Sequence, residues 1–69
     1  MPVLAPFAGT VVAVRRHRDD SVTAGQPMIV LEAMKMETNV VAPVAGTVKS
    51  INVKQGDGVQ VNQILVEFE

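Results

Sequence analysis

The chain has 69 residues and a formal net charge of −1, and it contains no Cys, Trp or Tyr. One small domain fits this length, and its core buries only about 60% of the surface of the unfolded chain. The composition excludes disulfides and thiolate metal sites, and it argues against nucleic-acid binding, base stacking and attraction to anionic membranes. No signal peptide or membrane span is predicted. We expect a soluble cytoplasmic protein, or one of the mitochondrial matrix if the chain is a eukaryotic fragment.

Short strands separated by turns are predicted along the whole chain, because Val, Ile and Thr are abundant and Gly or Pro recurs every few residues. No segment has a sustained helical period. The predicted strands lie near residues 2–6, 9–15, 28–33, 37–42, 46–53 and 63–69. These features predict an all-β sandwich or flattened barrel.

Local patterns add detail to these strands. The continuous apolar run Met28–Leu31 predicts a strand buried on both faces. The last strand, Ile64–Glu69, has apolar residues at 64, 66 and 68, so we expect one buried face. The segment Gln55–Gly58 is typical of a turn, whereas the corresponding Arg18–Ser21 lacks glycine and is expected to turn in another way.

An internal repeat divides the chain into two halves, 3–32 and 40–69. The segment Ala5–Val11 (APFAGTV) recurs 37 residues later as Ala42–Val48 (APVAGTV), and roughly a third of the aligned positions are identical. Two copies are too few for a solenoid. The repeat therefore predicts a single domain, residues 1–69, with two halves related by a pseudo-twofold axis.

The junction between the halves, residues 33–39, must contain a hairpin because predicted strands flank it. Yet Met34–Met36 contains none of the residues that tight hairpin loops favour. A local rule broken at one place marks a functional or strained site. Lys35 lies at the midpoint of the sequence, so the pattern predicts a lysine presented at a hairpin tip.

The residues around this lysine resemble a known signature. The segment Glu32–Glu37 (EAMKME) is similar to the Ala-Met-Lys-Met motif of biotinyl domains in biotin-dependent carboxylases and decarboxylases. The resemblance covers essentially the whole chain, including both Ala-Pro-x-Ala-Gly-Thr-Val segments and the turn at Gly56 and Asp57. A departure is Arg15–Asp20, where family members often carry a Gly-Asp turn.

The resemblance implies a fold, a cofactor and a site. The expected fold is a flattened β-barrel of two four-stranded antiparallel sheets, a barrel-sandwich hybrid, with the lysine on a tight turn. Lys35 is the expected acceptor of covalent biotin, attached by a biotin protein ligase that uses biotinyl-AMP, and Met34 and Met36 are its signature neighbours. Residues expected to contribute to ligase recognition are Ala33, Glu32 and Glu37.

The implied function is that of a biotin carboxyl carrier domain, not of a catalyst. The lysine-biotin arm carries a carboxyl group between biotin carboxylase and carboxyltransferase domains or subunits, and tethering gives it a high effective concentration. We expect the domain itself to be monomeric. As a hypothesis, the Met34 and Met36 thioethers give the ligase and these partners a deformable apolar contact.

Three alternative functions remain open. A lipoyl carrier domain of a 2-oxo acid dehydrogenase complex resembles the same fold, but Asp and Ala usually flank its lysine. An unmodified lipoyl-like motif of membrane-fusion proteins normally has a helical insertion between its halves. An independent enzyme, with Glu32 and Glu37 as an acid-base pair, lacks a predicted pocket.

The basic run Arg15–Arg18 is interpreted as a solvated segment or, as a minority alternative, as a docking patch for an acidic partner. A metal site at His17 is not favoured.

Overall fold

The computed structural model describes all residues, 1–69, and contains eight strands and no helix, hence no helix that could cross a membrane. The strands are β1 (Pro2–Leu4), β2 (Gly9–Val14), β3 (Ser21–Val22), β4 (Pro27–Ala33), β5 (Met36–Val41), β6 (Gly46–Ile51), β7 (Gly58–Val59) and β8 (Ile64–Phe68). The six predicted strands are confirmed. Strands β3 and β7 were not predicted, because two residues are too few to show an alternating pattern.

The strands form two four-stranded antiparallel sheets, as the fold prediction states. One sheet has the order β1-β8-β6-β3 and the other β5-β4-β2-β7. Replacing each strand by its counterpart in the other half of the repeat converts one order into the other. The bounds of β6 and β7 lie 37 residues after those of β2 and β3, which is the sequence offset of the repeat. The repeat is therefore a structural pseudo-twofold, and each sheet takes two strands from each half.

The core is aliphatic except for Met28 and Phe68. All sixteen buried residues are hydrophobic, so no buried polar side chain needs a hydrogen-bond partner. Met28, Ile29 and Leu31 of β4 are fully inaccessible to solvent, and Val30 is 5% exposed. This confirms that Met28–Leu31 is buried on both faces, since Val30 lies outside the main core cluster while its neighbours belong to it.

The alternation predicted for β8 is wrong at its start. Ile64 is 38% exposed, whereas Leu65 is fully buried. The reason is a bulge, because β1 pairs with Ile64 and with Val66 but skips Leu65. A bulge inserts one unpaired residue and reverses the alternation beyond it. Met28, the counterpart of Leu65, is skipped in the same way by β5.

The turn within Arg18–Ser21 corrects a second expectation. In the first half the Asp20 carboxylate accepts a hydrogen bond from the backbone N–H of His17 at 2.8 Å. In the second half Asp57 accepts one from the backbone N–H of Lys54 at 2.9 Å. The two turns are therefore built alike, although only the second contains glycine.

Asp19 makes the first turn possible without glycine. Its φ is 72°, and Gly56 at the matching position has a φ of 96°. Asp is one of the few residues with a side chain that enters the left-handed region, because its short polar group can hydrogen-bond locally. The departure from the Gly-Asp pattern at Arg15–Asp20 thus changes the residue and leaves the shape of the turn intact.

Gly9 sets the distance between β2 and the end of β4. A Cβ placed on Gly9 would lie 2.5 Å from the backbone oxygen of Glu32 and 3.6 Å from the Cβ of Ala33. Backbone atoms cannot swing away as a flexible side chain does. Glycine at this position therefore allows β2 to support the strand that leads to Lys35.

We expect Gly9→Ala to lower the free energy of unfolding by about 1–3 kcal/mol, because the added methyl group forces β2 away from β4. Urea denaturation measures the change. Gly58→Ala is the matched control, since a Cβ on Gly58 meets nothing within 4 Å. Equal stability of the two variants would contradict the close approach at Gly9.

Candidate functional site

The hairpin between the two halves is tighter than predicted. Strand β4 ends at Ala33, β5 begins at Met36, and these two residues pair with each other. The loop is therefore only Met34 and Lys35, and residues 37–39 of the predicted hairpin 33–39 belong to β5. Both loop residues have a positive φ, 53° for Met34 and 66° for Lys35. Two consecutive left-handed residues are the mark of a type I′ turn.

This turn has a strained backbone. The left-handed conformation raises the free energy of a residue that has a Cβ by roughly 1–2 kcal/mol, so the usual residues at such turns are Asn and Gly. Met34 and Lys35 lack the small or locally hydrogen-bonding side chains that reduce this cost. The structure thus places strain where the sequence breaks local turn rules, and the strands β4 and β5 hold the turn closed.

The lysine side chain is free at the tip. Lys35 is exposed and has no carboxylate oxygen within 4.0 Å, and the only contact of this kind in the structure joins His17 to Asp20, in another turn. Met34 is 94% exposed and Met36 is 70% exposed. The hairpin therefore presents a primary amine between two solvent-exposed thioethers.

An open, mostly apolar groove of about 360 Å³ lies beside the tip. Its lining residues come from the β1–β2 loop and from both sides of the hairpin: Phe7, Ala8, Ala33, Met34, Met36 and Thr38. Phe7 was missed in the sequence analysis. The sequence offers one signal, which is that the repeated segment has Phe7 in one copy and Val44 in the other. The structure adds that Phe7 lies on the side of the hairpin.

Glu32 and Glu37 face each other directly across β4 and β5. Both are exposed, and neither makes an ion pair. Like charges directly opposite each other weaken a sheet slightly, so this pair does not serve stability. The structure brings the two carboxylates together below the tip, beside Ala33, and their part in ligase recognition stays a prediction.

The basic run lies apart from this groove. His17 and Arg18 line a second open groove together with Lys54, and none of the hairpin residues contributes to it. The His17 Nδ1 is 3.9 Å from an Asp20 carboxylate oxygen. No group of three or more His, Cys, Asp or Glu side chains gathers in a metal-binding arrangement.

Comparison with known proteins identifies the family. The family model described as "Biotin-requiring enzyme" matches residues 1–68. The chain belongs to this family of biotinyl domains. Over 34 residues the biotinyl domain is 59% identical to the methylmalonyl-CoA carboxyltransferase 1.3S subunit of Propionibacterium freudenreichii subsp. shermanii, a match that covers 49% of this chain and 28% of that subunit. The matched part is thus little more than a quarter of that relative.

Two solved structures share the fold of the biotinyl domain. The crystal structure of the Kluyveromyces lactis urea carboxylase matches all of this chain and 6% of its own, with a TM-score of 0.93 and 29% identity. The lipoyl domain of the 2-oxoglutarate dehydrogenase complex from Azotobacter vinelandii matches 90% of this chain and 78% of its own, with a TM-score of 0.77 and 22% identity. The second similarity concerns the fold alone.

We expect the double substitution Met34→Asn/Lys35→Gly to raise the free energy of unfolding by about 1–3 kcal/mol, because Asn and Gly relieve the left-handed strain of the turn. Chemical denaturation measures this change. The matched control is Met36→Asn, at an exposed methionine in β5, where Asn is expected to be neutral or slightly destabilising. A double variant no more stable than the parent would show that the turn stores no strain.

Proposed function

We propose that Lys35 is the site of covalent biotin attachment and that the domain is a carboxyl carrier. The observation that carries this proposal is the exposed, unpaired Lys35 amine on a two-residue turn at the tip of two paired strands. Family membership supports biotin as the cofactor. The whole protein's activity and substrate are part of the proposal, because this chain corresponds to a small part of the relatives it matches.

The geometry fits the attachment chemistry. An amide bond to a lysine needs an amine that a ligase can reach and that no carboxylate holds in place. Lys35 meets both conditions. The other two lysines are placed differently: Lys49 lies within β6, and the backbone N–H of Lys54 is bound in the Asp57 turn. Of the three lysines, only Lys35 lies in a loop that directly connects two strands paired with each other.

In the proposed modification the Lys35 Nζ attacks the acyl carbon of biotinyl-AMP in the active site of a biotin protein ligase. An amide bond forms, AMP leaves with the electrons of the broken acyl–phosphate bond, and the nitrogen loses a proton. The rigid hairpin fixes where the amine begins its approach. Because the backbone of the turn is held by β4 and β5, little order has to be gained on binding.

When bound, biotin supplies the acceptor for the carboxyl group that is carried. The part of this chain is to hold one end of the arm and leave the other end mobile. The four methylenes of Lys35 extend from the tip, away from the core, so that the arm can enter one active site and then another. Tethering replaces free diffusion by a high effective concentration that depends on reach. The chain is then a non-catalytic carrier, whose proposed partners are the ligase, a biotin carboxylase and a carboxyltransferase.

The lipoyl alternative shares the fold but not the residues at the tip. Similarity to the Azotobacter vinelandii lipoyl domain follows from the common arrangement of strands. The residues flanking the acceptor lysine are Met34 and Met36, where lipoyl domains usually have Asp and Ala. Biotin is therefore the better supported cofactor.

We expect the folded domain to gain the mass of one biotinyl group after incubation with a biotin protein ligase, biotin and ATP, because one amine is presented in a form that the ligase can bind. Lys35→Arg is expected to gain none, since a guanidinium does not form the amide. Intact-mass spectrometry measures both.

Lys49→Arg and Lys54→Arg are the matched controls, because each removes one of the other two lysines and leaves the tip unchanged. Both are expected to accept one biotinyl group at the rate of the parent. Failure of the folded parent to gain mass, or modification of Lys35→Arg, would refute the proposed site.

A further inference from the structure

The methionines of the chain differ sharply in exposure. Met34 is 94% exposed and Met36 is 70% exposed, whereas Met28 is completely buried. These two are the most exposed of the large hydrophobic side chains of the chain, and they flank Lys35. The contrast gives the chain two accessible thioethers at the tip and a protected one in the core.

Both exposed thioethers belong to the apolar groove beside Lys35. Met34 precedes the lysine in the turn, and Met36 follows it as the first residue of β5. Phe7 and Ala33 complete the apolar part of the groove. A partner that binds in this groove beside the amine therefore contacts apolar side chains, including both thioethers.

We propose that Met34 and Met36 form an oxidation site for hydroperoxides, and that their conversion to sulfoxides slows the modification of Lys35. The inference rests on the proposed function, since it concerns access of the ligase to the same tip. In each reaction a sulfur lone pair attacks the distal oxygen of the peroxide and the O–O bond breaks. The sulfur is oxidised by two electrons to S=O, and hydrogen peroxide is reduced to water.

The change matters because a sulfoxide is polar and chiral, whereas a thioether is flexible and apolar. A partner surface that fits the thioethers would have to bury an S=O dipole without a hydrogen-bond partner. We expect kcat/KM for biotinylation to fall about tenfold, within the range for burying one unpaired polar group. The effect is reversible in principle, because sulfoxide reductases restore methionine.

The fold should not respond to this oxidation. Neither thioether contributes to the core cluster, and Met28, which does, cannot be reached without opening of the structure. The midpoint of urea denaturation is therefore expected to stay unchanged while biotinylation slows. This separates a local effect at the tip from damage to the domain.

The experiment treats the apo domain with hydrogen peroxide, removes the peroxide with catalase, and then measures biotinylation by a biotin protein ligase with biotin and ATP. Oxidation precedes the addition of biotin, so that only methionines of the chain react. Peptide mapping by mass spectrometry is expected to find sulfoxide at Met34 and Met36 and none at Met28. Treatment with methionine sulfoxide reductases is expected to restore the rate.

The matched control is Met34→Leu/Met36→Leu, which retains Met1, itself 55% exposed, and Met28. Its treated and untreated rates are compared with each other, and peroxide is expected to leave their ratio at one. Equal rates for the parent before and after full oxidation of Met34 and Met36 would overturn the inference, as would equal oxidation of Met28. Absence of biotinylation in the untreated parent would instead refute the proposed function.

Discussion

The burial of β4 holds the two sheets together and positions the hairpin that follows it. This strand lies between β5 and β2, and its residues Met28–Leu31 are covered on both faces. Burying a side chain of this size stabilises the fold by roughly 1.5–3 kcal/mol relative to leaving it exposed. With no disulfide, no buried polar network and one aromatic residue in the core, such burial is the main source of stability for the domain. Since β4 ends at Ala33, the same strand fixes where the tip begins.

The strain of the turn is tolerated because of this anchoring. Two left-handed residues would be unfavourable in an isolated hairpin, which is marginally stable at best. In the domain, β4 pairs with β5 on one side and with β2 on the other, so the ends of the turn cannot separate. The first and last strands show the same pairing without a covalent link, since the backbone amide of Phe68 donates a hydrogen bond to the carbonyl oxygen of Met1 at 3.0 Å. The closed turn that carries Lys35 thus has no counterpart at the other end of the pseudo-twofold.

Much of this architecture could be predicted from the sequence, because the repeat of Ala5–Val11 and the apolar run of β4 are direct signs of packing. The parts that could not be predicted depend on pairing between distant segments. The bulges at Met28 and Leu65 arise from register with β5 and β1, which no local pattern reveals. Asp19 adopts a conformation that the sequence leaves open, since Asp is compatible with more than one kind of turn.

The candidate site was likewise predictable where local patterns define it and not where distant segments meet. Lys35 could be predicted as the candidate site because Met34–Met36 violates hairpin rules and matches a family signature. The length of the loop was overestimated, because the strands close to within two residues of each other against the preferences of those residues. Phe7 was missed because its place beside the hairpin depends on how the β1–β2 loop folds over the sheet. Phe7 is distant from the hairpin in the sequence, so no local pattern connects the two.

We propose that the position of the amine on this turn, and not merely its presence near the tip, makes Lys35 the modified group. The most direct test exchanges the two loop residues, Met34→Lys/Lys35→Met, which keeps composition, charge and two exposed left-handed residues. Biotinylation by the ligase is then compared with that of the parent as kcat/KM. We expect an unchanged free energy of unfolding and a kcat/KM about a hundredfold lower, because the amine leaves the turn in a different direction. An exchanged variant that is biotinylated as fast as the parent would contradict it.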